Sequence, residues 1–171
     1  MWESLKTQEA VPAFHDTLNY FISYITYHLY TIWLFTYSDI KTIVIPKTVF
    51  GSLSAMAATS FGISASTAPT TSEVIQRIPT TLFWVWITLL PFAIDNQRDA
   101  NSVAEDTINK PWRVMPSRRL SPKEAKRLMI CLYAVSITSS WWIGGFLPGV
   151  ALLILGTVIL LRRHAANLTF L

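Results

Sequence analysis

Residues 95–121 read DNQRDANSVAEDTINKPWRVMPSRRLS and gather acidic and basic side chains into one segment of an otherwise apolar chain. On a helix of 3.6 residues per turn, Asp95, Asp99, Ser102 and Asp106 recur at i, i+4, i+7 and i+11 and share one stripe. Three carboxylates on one stripe repel each other unless a cation sits on them. Mg2+ is the natural candidate, because it takes a few carboxylates together with waters and phosphate oxygens. Pro111 stops the helix, and Lys110, Arg113, Arg118 and Arg119 fall within one short loop. Carboxylates for a metal beside cations for phosphate point to a diphosphate site. The plainer alternative is a solvated loop beside a membrane whose charges set only topology.

Upstream of this stretch, residues 79–94 form an apolar run carrying Trp84, Trp86 and Phe92, which reads as a membrane span ending at Asp95. Pro91 marks a place for a kink. Residues 64–78 are rich in Ser, Thr and Pro, with Glu73 and Arg77 as their only charges, and read as a connector. Residues 40–63 form another span, whose later part carries Gly51, Ser52, Ser54, Ala55, Ala57 and Ala58 and so lets a neighbouring helix approach closely. Residues 18–37 are apolar but crowded with Tyr20, Phe21, Tyr24, Tyr27, Tyr30, Trp33 and Phe35. Such rings favour the headgroup level, which predicts an interfacial helix, although twenty uncharged residues also suffice to cross. Residues 1–17 form a polar amino terminus, and residues 18–171 a single membrane domain.

Downstream, Ser121 stands as an N-cap, with Pro122 at the first helical position and Glu124 three residues on, a capping-box pattern that starts a third span reaching about residue 142. Gly144, Gly145, Pro148 and Gly149 make a turn, and residues 150–161 a fourth span before Arg162, Arg163 and His164. The sequence thus predicts an all-α integral membrane protein with four spans and an interfacial amino-terminal helix. Lys6, Lys41, Lys47, the basic residues from Arg98 to Arg127, Arg162 and Arg163 then share one side, and Arg77 lies on the other. The positive-inside rule makes the crowded side cytosolic. There the sequon Asn167-Leu168-Thr169 stays unmodified.

The composition agrees. Of 171 residues, 51% are apolar and 14% charged, which points away from a soluble domain, and the lipid bilayer rather than nucleic acid is the expected partner. Cys131 stands alone in an apolar run, so no internal disulfide can form, and His15, His28 and His164 are too scattered for a zinc site. The amino terminus has no short apolar core behind a basic start, hence no cleavable signal.

The stretch also resembles the first aspartate-rich motif of the UbiA superfamily of intramembrane prenyltransferases. That pattern runs N-D-x-x-D-x-x-x-D and then K-P-x-R-P-x-P-S-G-x-x-S. Lys110, Pro111, Arg113, Pro116, Ser117 and Ser121 match directly, Asp106 falls on the last aspartate and Asp99 on the one beside the asparagine. Ser102 replaces the middle aspartate, and Val114 and Arg118 stand where the pattern has proline and glycine. Arg98 occupies the asparagine position unless Asn96 takes that role after a two-residue shift. The spelling N-Q…S…E-D…N-K-P-W-R is similar to a fungal branch that includes membrane terpene cyclases.

The resemblance implies a UbiA-like helical bundle acting with Mg2+ on a prenyl diphosphate such as farnesyl diphosphate. Asp99, Asp106, Ser102 and Glu105 become the metal candidates, and Lys110, Arg113, Lys41 and Asn96 the diphosphate candidates. Snorkelling to headgroups is the alternative role for Lys41. Trp84, Trp86, Trp112 and Phe92 are available to stabilise a carbocation, or are packing and interface anchors. No catalytic residue is assigned. The expected activity is prenyl transfer to an aromatic or polyketide acceptor in terpenoid or meroterpenoid secondary metabolism. Sesquiterpene cyclisation is the alternative, and a degenerate, non-catalytic membrane protein the alternative of another class. The expected location is the endoplasmic reticulum membrane, with the loop facing the cytosol.

The match covers only the first four helices of a nine-helix fold. No second acidic motif follows, since residues 128–171 hold no Asp or Glu. The expectation is a truncated bundle, in which Ser136, Ser139, Ser140, Gly145, Gly149 and Gly156 face lipid or recruit a helix–helix partner, and whose other acidic residues on the same face are Asp39 and Asp95.

Overall fold

The computed structural model describes residues 14–58, 60–62 and 69–168, with side chains from 16 onward and as far as 158. The polar amino terminus up to residue 13, residue 59, residues 63–68, the end of the sequon and the Arg162–His164 side chains lie outside the described residues. All the regular structure among the described residues is helical: α1 Phe14–Asp39, a π-helical segment Ile40–Val44, α2 Ile45–Ala57, α3 Thr71–Arg98, α4 Ala100–Asn109, α5 Pro122–Ile143 and α6 Phe146–Leu168.

The expected interfacial helix and first span are one uninterrupted helical run, joined by the π segment. Its cause is local. Pro46 cannot donate to the Thr42 carbonyl and its ring crowds that carbonyl. Just before the proline the ladder widens, and Ile45 N–H donates to Ile40 O, five residues back.

The 64–78 connector is shorter than expected. Helix α3 starts at Thr71, capped by Thr70, whose hydroxyl accepts from Glu73 N–H while the Glu73 carboxylate accepts from Thr70 N–H at 2.7 Å. Pro79 therefore lies inside α3, as does Pro91. The missing N–H of Pro91 leaves the Ile87 carbonyl without its ladder donor. Ser136 of α5 supplies one: its hydroxyl lies 2.7 Å from Ile87 O and equally close to its own Leu132 O. Among the described residues, α3 alone is long and apolar enough to cross a membrane, so one of the four expected spans meets that test.

The carboxy-terminal half corrects the expectation for the small residues. Ser136 and Ser140 are fully buried where α5 packs on α3, and Trp84 Nε1 donates to Ser140 Oγ at 2.8 Å. Gly149 admits the Ser140 side chain and Gly156 the Phe92 ring, so these positions bring helices of the same chain together. The turn at Gly144 is as expected, with φ +84°, but α6 begins at Phe146 and takes Pro148 and Gly149 into its first turn.

Leu34 and Phe35 of α1, Ile87, Leu90 and Ile94 of α3, Val114 and Met115 of the 110–121 loop, and Ala125 and Leu132 of α5 share one core. Val114 is completely buried, so the loop is plugged into the bundle and its polar side chains are displayed from a fixed base.

Candidate functional site

The acidic stripe does not survive folding. Asp99 has extended backbone (φ −62°, ψ 134°), ending α3 and capping α4, with its Oδ1 accepting from Asn101 N–H at 3.1 Å. Aspartate is among the preferred N-caps, and here that preference outweighs the continuity that the period of 3.6 presupposes. Asp95 instead pairs with Arg98 at 3.2 Å. Asn96 is half-buried in the last turn of α3, Ser102 is half-buried on α4, and Glu105 is exposed there. Helix α4 ends as the sequence predicts, with Lys110 (φ −144°, ψ 60°) held out of helical geometry by the proline that follows.

Asp106 and Arg113 form a buried ion pair, Nη1 to Oδ2 2.7 Å, with side chains 7% and 9% exposed. The pair ties the end of α4 to the loop beyond Pro111. Arg113 Nε has no hydrogen-bond partner.

Lys41 and Lys110, from the π segment and the end of α4, line one cavity of about 530 Å3. Trp33, Tyr37 and Trp112 supply aromatic walls, and Asp39 is its carboxylate. Burial pushes the Asp39 carboxyl above its usual range, Arg113 and Lys110 pull it back down, and Asp106 adds to the rise. Asp39 therefore lies within electrostatic reach of Arg113, Lys110 and Asp106. Of the predicted site residues, the structure brings Lys41 and Lys110 to this cavity and pairs Asp106 with Arg113, and leaves Arg113, Asp106, Asp99, Ser102, Glu105 and Asn96 outside its lining. Trp33 and Tyr37 line this cavity although their spacing in the sequence reads as an interface belt, and the π segment beside it is signalled only by Pro46 behind a β-branched run.

The four metal candidates do not fit a protein-held Mg2+. The Asp106 carboxylate is bonded to a guanidinium, that of Asp99 serves as a cap, and among the described residues no three His, Cys, Asp or Glu side chains are grouped to hold a metal. Of the aromatic candidates, Trp84 and Phe92 line a separate, mainly apolar cavity of about 300 Å3 with Lys47 at its wall. Trp86 is a packing residue whose Nε1 donates to Thr36 Oγ1 at 2.9 Å.

No family model, curated protein or solved structure matches this chain.

Proposed function

We propose that this chain is an integral membrane protein that receives the diphosphate head of a prenyl diphosphate, such as farnesyl diphosphate, between Lys41 and Lys110. We read it as a UbiA-like prenyltransferase passing the isoprenoid to an aromatic or polyketide acceptor. One observation carries the reading: two lysines from separate elements line one cavity with Trp33, Tyr37 and Trp112, alongside the Asp39 carboxylate. Ammonium groups there oppose the charge that grows on a departing diphosphate, while the aromatic walls accept an apolar chain. Mg2+ belongs to this reading as a counter-ion of the diphosphate, with no protein carboxylate assigned to it.

Two further features support it. Arg118 has φ +54°, a left-handed backbone, at the position where the resembled motif carries glycine. The length and apolarity of α3, with the exposed rings of Tyr20, Phe21, Tyr24 and Tyr30 on α1, suit a bilayer and its interface. In this reading the 99–121 loop faces the cytosol at the endoplasmic reticulum membrane. Cysteine labelling of residues 69–72 from the side opposite the loop is the expected outcome.

A second reading, binding without turnover, is favoured by Ser102 in place of a carboxylate and by the engagement of Asp106 with Arg113. The full chain in nanodiscs, given farnesyl diphosphate with and without an aromatic acceptor, separates the readings. Prenylated acceptor supports the transferase, a hydrocarbon made without acceptor supports a cyclase, and binding alone supports the second reading. Lys41→Gln with Lys110→Gln should weaken binding at least tenfold, and unchanged affinity would overturn the site.

A further inference from the structure

A third cavity, of about 770 Å3, shares no lining residue with the lysine basin and is bounded by Arg98, Arg118, Arg119, Leu120, Ser121 and Glu124 among others. We infer that it is a phosphate-binding site in which the guanidinium groups of Arg98, Arg118 and Arg119 take the oxyanion. Its one lining carboxylate, Glu124, is committed to the α5 cap, accepting from Ser121 N–H at 2.8 Å and Ser121 Oγ–H at 2.7 Å. Arg98 has Asp95 as its ion-pair partner at 3.2 Å, while its Nε is buried without a hydrogen-bond partner.

Arg119 is fixed in place. Its Nε donates to Thr31 Oγ1 at 3.2 Å, and its guanidinium lies 4.3 Å above the Tyr27 ring and 5.1 Å from that of Tyr30. The Tyr27 hydroxyl in turn donates to the Arg119 carbonyl at 2.9 Å. An arginine so held loses little further freedom on binding an anion.

Arg118 is the most telling member. It is exposed, and among the described residues its side chain makes no hydrogen bond or ion pair, yet its backbone holds φ +54°, which glycine would adopt freely. A left-handed non-glycine backbone is disfavoured, and the exposed side chain has no protein partner among the described residues, so its guanidinium is open to a ligand. Guanidinium forks match the tetrahedral oxygens of phosphate. The first residues of α4 and α5, Ala100 and Pro122, also line the cavity and add dipoles of the same sign, offset in part by the caps Asp99 and Glu124.

The phosphate could belong to a lipid headgroup or be free in solution, and the two sources are separable. The Lys41→Gln/Lys110→Gln chain serves as background, so that the lysine basin is silent and the outcome does not depend on the diphosphate reading. Inorganic phosphate is titrated against this chain in neutral detergent, and detergent-dispersed fluorescent phosphatidic acid and phosphatidylcholine are titrated separately in the same detergent. Binding of inorganic phosphate supports a soluble ligand, and binding of phosphatidic acid without phosphatidylcholine or inorganic phosphate supports a headgroup. In either case Arg118→Gly with Arg98→Gln should weaken binding at least tenfold, whereas Lys123→Gln with Lys126→Gln should leave it within twofold. Arg118→Gly relaxes the backbone, so a loss there reports the missing charge rather than misfolding. Binding of neither probe, or an equal loss in both variant pairs, would overturn the site.

Discussion

Removing Asp106 should destabilise the protein whether or not it binds a ligand. At 2.7 Å and an effective dielectric of about 20, the Asp106–Arg113 pair attracts by about 6 kcal/mol. Most of that gain offsets the desolvation of two side chains that are 7% and 9% exposed. Deleting one partner forfeits the attraction but leaves the other charge buried, which costs about 3–5 kcal/mol. Asp39 lies within electrostatic reach of Arg113 and shields part of that charge, so Asp106→Ala should fall at the lower end, near 3 kcal/mol. Replacing both, Asp106→Leu with Arg113→Met, removes both desolvation costs and should lose less than about 1.5 kcal/mol. Reversible unfolding in mixed micelles, followed by tryptophan fluorescence, measures all the variants. Single losses below about 1 kcal/mol, or a double loss equal to the sum of the singles, would refute the argument. If it holds, lost turnover in Asp106→Ala cannot be assigned to a missing metal ligand.

Ser136→Ala should cost about 1–2 kcal/mol in the same assay, because it leaves the Ile87 carbonyl freed by Pro91 without its donor; Ser136→Thr should recover part of the loss. Arg118→Gly should raise stability by up to about 1 kcal/mol by relieving the left-handed backbone, and a loss of stability would refute the strain argument. Gly156→Ala should cost about 1–3 kcal/mol, since its Cβ would run into the Phe92 ring, while Gly51→Ala, with open space around it, should not destabilise. Asp39 carries a pKa raised above its usual 3.8, so the folded chain holds the extra proton: stability is present below 3.8 and falls as pH rises through the folded value. Asp39→Asn should therefore stabilise the chain at neutral pH and flatten that acid-side slope, as unfolding at several pH values would test.

The parts of this fold that the sequence spells locally are the parts that can be read from it. The Ser121–Glu124 capping box and the stop at Pro111 are short-range chemistry, and both appear where the residues put them. The Thr70–Glu73 box has the same grammar but lies in a Ser/Thr-rich run, where a cap is hard to tell from loop composition. The acidic stripe misled because periodicity counts positions along an unbroken helix, whereas Asp99 carries the stronger local preference and breaks it. Small residues presented a third problem. Close approach was legible at Ser136, Ser140, Gly149 and Gly156, but whether the approaching surface was another chain, lipid or this chain's own α3 depended on packing that no local pattern contains.

The cations that follow α4 are spread over three environments, and the backbone explains how. Lys110 is pushed out of helical geometry by Pro111 and reaches the cavity beside the π segment. The turn in which Arg113 N–H donates to Lys110 O brings Arg113 back onto Asp106, and with that charge neutralised Val114 and Met115 can enter the core. From there Arg118 and Arg119 donate their N–H groups to Met115 O and Val114 O, and the left-handed Arg118 turns the chain so that Arg119 lies against the rings of α1. A loop carrying this many like charges would repel itself if they shared one surface. Dividing them between a lysine-lined cavity, a buried pair and an arginine-lined cavity reduces that repulsion and yields the two cavities proposed above as anion sites. The Asp106–Arg113 pair lines neither cavity, so its loss should act on anion binding only through the anchoring of the loop that carries Val114 and Met115.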